Sequence, residues 1–204
     1  NGSIKNQDNV LSFNENLLLT RNDIYARNIK TSHLTNNTWK QLGSNIDGES
    51  SEDKSGYSVS LSANGKRLAI GAPLNDGNGG DSGHARVYEF NETSLSWVKK
   101  GDDIYGESAG DHSGLNLSLS GDGNTLCVGA RYNDSNGTSS GHVKIYRWNG
   151  SSWASIGEIT GSNAGDTAGL QNDLSYDGNV VVFGSTAHDS SKGTTRIYEY
   201  DGSS

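Results

Sequence analysis

The chain has 204 residues, with 16 Lys and Arg against 24 Asp and Glu, which gives a formal net charge of −8. This acidic balance without a basic cluster argues against nucleic acid as a partner, and no apolar run approaches the roughly 18 residues of a membrane span. The single Cys127 excludes an internal disulfide and a cysteine-based zinc site.

Residues 1–37 differ in pattern from the rest of the chain. Short apolar stretches at 10–13 and 17–20 are separated by polar turns, which predicts a short β-rich segment. We expect either a leader or a stalk that joins copies of the chain into an oligomer, similar to the stalk segments of viral or phage fibre proteins. The segment opens on Asn1 and the chain contains no Met and shows no signal peptide, so we expect the natural start to lie upstream.

From residue 38 onward one unit repeats. Trp39, Trp97 and Trp153 each open a Trp-x-x-x-Gly segment, at spacings of 58 and 56 residues. Each Trp is followed by an Asp-x-x-Gly and then by a stretch in which apolar and polar residues alternate. A turn comes next, with Asn-Gly at 64–65 in the first unit and Asp-Gly at 122–123 and 177–178 in the other two. The unit ends with an apolar stretch and a stretch rich in aromatic and β-branched residues. The alternating stretches are 56–62, 114–120 and 169–175, the apolar ones 67–73, 125–131 and 180–186, and the aromatic ones 84–90, 142–148 and 195–200. Repetition at a fixed period is typical of repeat architectures.

Each unit predicts four antiparallel strands, because alternation of period 2 indicates a strand and no helical period is present. The Asn-Gly and Asp-Gly pairs predict two-residue hairpin turns with positive φ at both central residues. Four-stranded units of about 55 residues arranged radially make a β-propeller. We therefore predict an all-β chain with an incomplete propeller over 38–204: a ring-closing strand at 38–46 and three blades at about 47–104, 105–160 and 161–204. Because propellers usually have at least four blades, we expect further copies beyond this fragment.

The repeats resemble the FG-GAP repeat of integrin-alpha-type β-propellers over roughly residues 39–204. Gly56-Tyr57 opens the first alternating stretch, in reverse of the family's aromatic-Gly pair, and Gly71-Ala72-Pro73 closes the next strand. The resemblance implies a propeller with an extracellular adhesion or recognition role. Many blades of that family carry a calcium site between these two strands, but here that loop is a tight turn with at most one acid. We therefore do not transfer the calcium site, and we expect no cofactor.

The loops at 74–83, 132–141 and 187–193 differ between copies while the strands stay alike, which is typical of a binding site carried on a scaffold. Their candidate ligand-binding residues are Asn75, Asp76, Asn78, Asp81, Asn133, Asp134, Asn136, His188 and Asp189. Asp76 and Asp81 are weak candidates for metal ligands, but the loop lacks the closing Glu of an EF-type site. Asx residues in loops more often bond their own backbone, so we expect no metal there.

Other polar residues recur with the unit or stand out from it. Three acids, which precede the alternating stretch in every copy, favour a scaffold role as acceptors of backbone N–H groups: Asp53, Asp111 and Asp166. Asp173 replaces Ser60 and Ser118; it indicates either drift of the repeat or a polar spot near the propeller axis. His84 and His142 open the third strand of two units and are interpreted as strand-edge hydrogen bonders. Cys127 is expected to be a small buried residue.

No nucleophile motif or phosphate-binding loop is present. The leading hypothesis is therefore a non-enzymatic propeller that acts in binding or adhesion, with an unidentified protein or glycan as its ligand. We expect it to be extracellular, on a cell surface or on a virion. One alternative is a structural fibre or array component. Another is a fragment of a propeller enzyme such as a glycan hydrolase, which would need paired carboxylates.

Overall fold

The fold is given by a computed structural model that describes residues 39–202. The predicted β-rich segment and oligomer contact at 1–37 lie outside the described residues. The strands are β1 (Ser58–Leu61), β2 (Arg67–Ala72), β3 (His84–Asn91), β4 (Ser96–Lys99), β5 (Ile104–Tyr105), β6 (Ser113–Leu119), β7 (Thr125–Ala130), β8 (His142–Trp148), β9 (Trp153–Thr160), β10 (Gln171–Leu174), β11 (Val180–Ser185) and β12 (Thr194–Glu199), with one helical turn, α1 (His188–Ser191).

The strands form three antiparallel sheets in chain order. These are β1-β2-β3-β4 with β5 also paired to β3, then β6-β7-β8-β9, then β10-β11-β12. Each sheet takes its strands from one predicted repeat, except that β5 crosses the predicted boundary between residues 104 and 105, so each repeat corresponds to one blade. The third sheet has three strands within the described residues, one fewer than predicted. The prediction of an all-β propeller fragment of about three blades is confirmed.

The turns between the first two strands of each blade differ from the prediction. In the loop between β1 and β2, four residues (63–66) lie between Ser62 and Arg67, and the Ser62 N–H closes the loop by donating to the Arg67 carbonyl at 2.9 Å. Gly65 has a φ of +67°, whereas Asn64 does not have a positive φ. Instead, Asn64 Oδ1 accepts the N–H of Lys66 at 2.9 Å. The Asn side chain therefore acts as a hydrogen-bond acceptor for its own backbone. An Asn-Gly pair is as compatible with this role as with a two-residue turn.

The ring-closing strand expected at 38–46 is not formed over the described residues 39–46. A strand requires a hydrogen-bonded neighbour, and none of the ladders found within 39–202 includes these residues. Leu42 nevertheless has a defined place, because its carbonyl accepts the indole N–H of Trp97 at 2.9 Å. Lys100 accepts the indole N–H of Trp153 at 2.8 Å in the next blade. The Trp residues thus tie each blade to the segment that precedes it.

The hydrophobic cores lie between blades. The first core joins β2 and β3 to β6 and β7, and the second joins β7 and β8 to β11. Their buried members are Ala69, Ala85, Val87, Ile104, Leu117, Leu119, Leu126 and Val128 in the first, and Cys127, Val143, Ile145, Ala168, Val181 and Phe183 in the second. Each blade is therefore stabilised through its neighbours.

Serines on the innermost strands bond the next blade. Ser58 Oγ donates to the Gly114 carbonyl at 2.7 Å, and Ser60 Oγ accepts the N–H of Leu119 at 3.0 Å. On the opposite face of β1, Val59 is 63% exposed, although its counterpart Leu117 in the second blade is buried. One face of the inner strand therefore carries hydrogen-bonding serines, and the other carries apolar residues.

Candidate functional site

The candidate residues share one rim of the blades. Because neighbouring strands are antiparallel, the loops after β2, β7 and β11 lie at the same end as the connections between blades. The N–H of Gly106, in such a connection, donates to the Gly83 carbonyl in the first loop at 2.8 Å. We call this end the loop rim; the four-residue turns lie at the opposite rim.

A contact between a recurring acid and a residue near the start of the loop fixes the base of each loop. Asn75 Nδ2 donates to Asp53 Oδ2 at 2.9 Å, and Asn133 Nδ2 donates to Asp111 Oδ2 at 3.0 Å. In the third blade His188 replaces the Asn, with its Nδ1 3.1 Å from both oxygens of Asp166. Three candidate residues, Asn75, Asn133 and His188, are thus held by the recurring acids.

The recurring acids also accept backbone N–H groups, as the sequence predicts. Asp111 Oδ2 accepts those of Glu107 and Ser108 at 3.1 and 3.0 Å. Asp166 Oδ2 accepts those of Ser162 and Asn163 at 2.9 and 3.0 Å. These carboxylates order the connection between two blades.

Two further candidate residues clamp neighbouring segments together. Asn78 Nδ2 donates to the Gly106 carbonyl at 2.8 Å, and Asn136 Nδ2 donates to the Gly161 carbonyl at 2.8 Å. Since each partner carbonyl lies in the connection to the following blade, these amides hold loop and connection in one arrangement in both copies.

The acidic candidates lie at the loop tips. Asp76 Oδ1 accepts the N–H of Asp81 at 2.8 Å, and Asp134 Oδ1 accepts that of Ser139 at 2.7 Å. The Asp81 side chain itself is exposed and makes no hydrogen bond or ion pair within residues 39–202. In the third loop α1 replaces this arrangement, and Asp189 pairs with Lys192 Nζ at 2.7 Å. The three loops thus share a base. The first two also share the backbone arrangement of their tips, and the third differs from them.

The structure also assembles two clusters that the sequence analysis missed. In the first blade, Glu49, His84 and Asp103 each bring a potential ligand atom within 4.8 Å of the others. Arg86 binds both oxygens of Asp103, at 2.8 and 2.6 Å, and also contacts Glu49. Burial raises the pKa of the Asp103 carboxyl, but hydrogen bonds from Arg86, Lys99 and Tyr105 outweigh it and leave the pKa well below its usual range.

The second cluster is its counterpart one blade further on. Glu107, His142 and Glu158 lie within the same limit of one another, and His142 Nδ1 is 3.4 Å from Glu158 Oε1. Lys144 contacts Glu107, and its Nζ lies 3.4 Å from Glu158 Oε2. The hydrogen bond from Lys144 lowers the pKa of Glu107, and burial lowers the pKa of His142.

The two strand-opening histidines are buried and, within residues 39–202, have an unpartnered Nδ1. His84 and His142 are 2% and 3% exposed, and the Nδ1 atom of each lacks a hydrogen-bond partner among the described residues. The expected strand-edge hydrogen bond is therefore not made through Nδ1. Both clusters are difficult to predict from the sequence, because each draws its residues from three separate segments. The available signal is the alignment of the first two repeats, which pairs Glu49 with Glu107 and His84 with His142.

Two other polar positions have structural partners. Ser118 Oγ donates to Asp173 Oδ1 at 2.6 Å, so this acid links the second and third blades. Cys127 is fully buried, as predicted, and burial raises the pKa of its thiol.

Two four-stranded meanders and a three-stranded one, with apolar cores between them, make up a β-propeller fragment. Residues 46–88 match the FG-GAP repeat family model, which confirms the resemblance seen in the first repeat. The match covers the first repeat of the chain and the strands β1, β2 and most of β3 within it.

No curated protein sequence matches the chain. Among solved structures, it is similar to hydrazine synthase from Kuenenia stuttgartiensis, at 13% identity and a TM-score of 0.46, over 70% of this chain and 33% of that one. It is also similar to a putative 6-phosphogluconolactonase from Bacteroides uniformis, at 15% identity and a TM-score of 0.48, over 70% of this chain and 36% of that one. The chain thus spans about a third of the length of either structure.

Proposed function

We propose that this chain is part of a non-enzymatic β-propeller that binds a protein or glycan ligand through its loop rim. The supporting observation is the division within each loop. Its base is fixed by the same Asn–Asp or His–Asp contact in every copy, whereas its tip differs in sequence between all three copies and in conformation in the third. A rigid base lowers the entropy that an exposed tip loses when it binds.

The chemistry of the tips supports a polar ligand. Asp76, Asp81 and Asp134 are exposed, and their carboxylates can accept hydrogen bonds from sugar hydroxyls or from Lys and Arg side chains of a protein. The bond between Asp173 and Ser118 supports a linking role for this acid rather than one in hydrolysis.

We further propose that the protein acts outside the cell, on a cell surface or on a virion. The support is the FG-GAP repeat, which is typical of extracellular domains. Within the described residues, no helix has the length and apolar character needed to cross a membrane.

The test is binding of the labelled 204-residue chain to a glycan array and to a panel of purified cell-surface glycoproteins, with and without EDTA. The double variant Asp76→Asn, Asp81→Asn removes two charges from the loop rim. The matched control, Glu92→Gln with Asp177→Asn, removes two exposed charges from the opposite rim.

We expect binding that persists in EDTA, falls about tenfold in the loop-rim variant and stays unchanged in the control, since a charge-assisted hydrogen bond contributes roughly 1.5 kcal/mol. Equal losses in both variants would refute the assignment to the loop rim. Absence of binding to both the array and the panel would refute the binding function.

A further inference from the structure

We propose that Glu107, His142 and Glu158 form a binding site for a first-row divalent transition metal ion such as zinc. The site is independent of the loop tips and of the calcium loops of the FG-GAP family. The geometry that carries it is the approach of one imidazole nitrogen and two carboxylates from three segments of the chain.

The spacing suits shared ligands. His142 Nδ1 and Glu158 Oε1 are 3.4 Å apart, which is longer than most N–H···O hydrogen bonds. Two ligands of one tetrahedral zinc ion, each about 2.1 Å from the metal, lie roughly 3.4 Å apart. The pair is therefore already at the distance that a common ion requires, and a carboxylate oxygen of Glu107 lies within 4.8 Å of the ligand atoms of the other two residues.

The buried imidazole is the second, independent observation. The His142 side chain is 3% exposed, and its Nδ1 has no hydrogen-bond partner in the described part of the chain. Because an unsatisfied buried polar atom is costly, each such atom calls for a partner. An ion between the imidazole and the two carboxylates supplies one.

The surroundings can accommodate the ion. The side chains of Glu107 and Glu158 are 42% and 32% exposed, so the site is open to water as a further ligand. Asn133 Nδ2 lies 3.4 Å from Glu107 Oε2 and orients this carboxylate from outside the ligand set.

Lys144 is the competitor of the ion. It neutralises part of the charge of the two carboxylates, and a divalent ion would take over this role. The ammonium group sits on a flexible stem and can swing into solvent, because it makes ion pairs without a fixed bidentate geometry.

The donor set selects the kind of ion. One imidazole with two carboxylates suits zinc, cobalt or nickel, whereas calcium and magnesium prefer six or more oxygen ligands, including water. The first blade carries a similar set but is blocked, because Arg86, Lys99 and Tyr105 occupy both oxygens of Asp103. The third blade has Ser162 and Thr194 in place of Glu107 and His142.

The experiment is calorimetric titration of the chelator-treated 204-residue chain with zinc chloride, repeated with calcium chloride. The variant His142→Thr removes the imidazole, and the third blade carries Thr194 at the same strand position, so this change suits the fold. His84→Thr is the matched control in the first blade. A cobalt titration followed by visible absorption reports the coordination geometry, and circular dichroism checks that each variant is folded.

We expect one zinc ion per chain, no calcium binding, and cobalt absorption typical of four or five ligands. Zinc affinity should fall on the order of a hundredfold in His142→Thr and stay unchanged in His84→Thr. Lys144→Gln should tighten binding by about tenfold or more, since it removes a positive charge next to the ion. The proposal is overturned if His142→Thr retains the affinity, if both His variants lose it equally, or if Lys144→Gln weakens binding.

Discussion

The contact between blades depends on glycines that leave no room for a methyl group. Gly71, Gly129 and Gly184 hold the same position in β2, β7 and β11. A Cβ atom on Gly71 would lie 2.0 Å from the Gly114 carbonyl oxygen and 2.4 Å from Ser58 Oγ. On Gly129 it would lie 2.1 Å from the carbonyl oxygen of Gly169, whereas on Gly184 it would meet no described atom within 4 Å.

The cost of Gly71→Ala follows from these distances. Real Cβ contacts are essentially never shorter than 3.0 Å, so a contact of 2.0 Å forces the first two blades apart by about 1 Å. Overpacking of this kind costs about 1–3 kcal/mol. Displacing Ser58 from the Gly114 carbonyl, a hydrogen bond of 2.7 Å, costs about 1 kcal/mol more. We therefore expect Gly71→Ala to destabilise the chain by about 2–4 kcal/mol.

Thermal unfolding followed by tryptophan fluorescence measures the effect. For a chain of this size, about 2–4 kcal/mol lowers Tm by roughly 4–16 °C. Gly129→Ala should have a similar effect, while Gly184→Ala should be neutral or stabilising by about 0.5–1 kcal/mol, as Ala in a strand is more favourable than Gly. If Gly71→Ala and Gly184→Ala lowered Tm equally, the close approach of the blades would not be the cause.

Two further predictions concern buried polar groups and are measured by urea unfolding. Asp111→Ala leaves the N–H groups of Glu107 and Ser108 and the Asn133 amide without their acceptor. We therefore expect the free energy of unfolding to fall by about 2–4 kcal/mol, against less than about 0.5 kcal/mol for the control Asp102→Ala at an exposed acid. Equal losses in the two variants would contradict the scaffold role of Asp111. Burial, and to a smaller extent the charge of Arg86, lower the pKa of His84 below 6.5 in the folded chain. Below about pH 6.5 the unfolded chain therefore binds more protons than the folded chain. The free energy of unfolding consequently falls as the pH drops, by up to about 1.4 kcal/mol per pH unit. The variant His84→Thr, studied in EDTA, should remove this part of the slope between pH 6.5 and 5, and an unchanged slope would contradict it. The charged groups that face His84 and stay in place are Arg86, Asp103, Glu49 and Asp53.

The strands were predictable because three copies report the same local pattern. The alternating stretch at 114–120 predicts β6, which spans Ser113–Leu119. Turn geometry was less predictable, because Asn64-Gly65 is compatible with a two-residue turn and with the observed four-residue loop. The segment at 39–46 fails as a strand for another reason: strand formation depends on a hydrogen-bonded neighbour, which the local sequence does not identify.

The candidate site was predictable in its position but not in its contacts. The variable loops do lie at one rim, yet Asn75 and Asn78 bond partners that come from other segments, Asp53 and Gly106. A side-chain amide carries no local signal that distinguishes a scaffold contact from a ligand contact. The same limit applies to His142, whose carboxylate neighbours become visible only when the blades are assembled.

Comparing the three copies separates scaffold contacts from candidate sites better than the composition of any single loop does. Contacts that recur, such as those of the three acids and of the Ser and Gly residues between blades, maintain the packing of one blade on the next. Leu, Ile, Val and Phe make up only 38 of 204 residues, a content at the border of disorder, and it suffices because Gly and Ser provide close contacts and hydrogen bonds at the blade faces. Sites are then expected where one copy departs from the others. The same strand position holds Arg86, Lys144 and Arg196 in the three blades. Arg86 makes a bidentate contact with Asp103, and Arg196 donates to the Thr160 carbonyl. Lys144 has neither kind of contact, so its amine can leave its carboxylate partners more easily. The second blade is therefore the copy in which the shared scaffold can acquire a metal site.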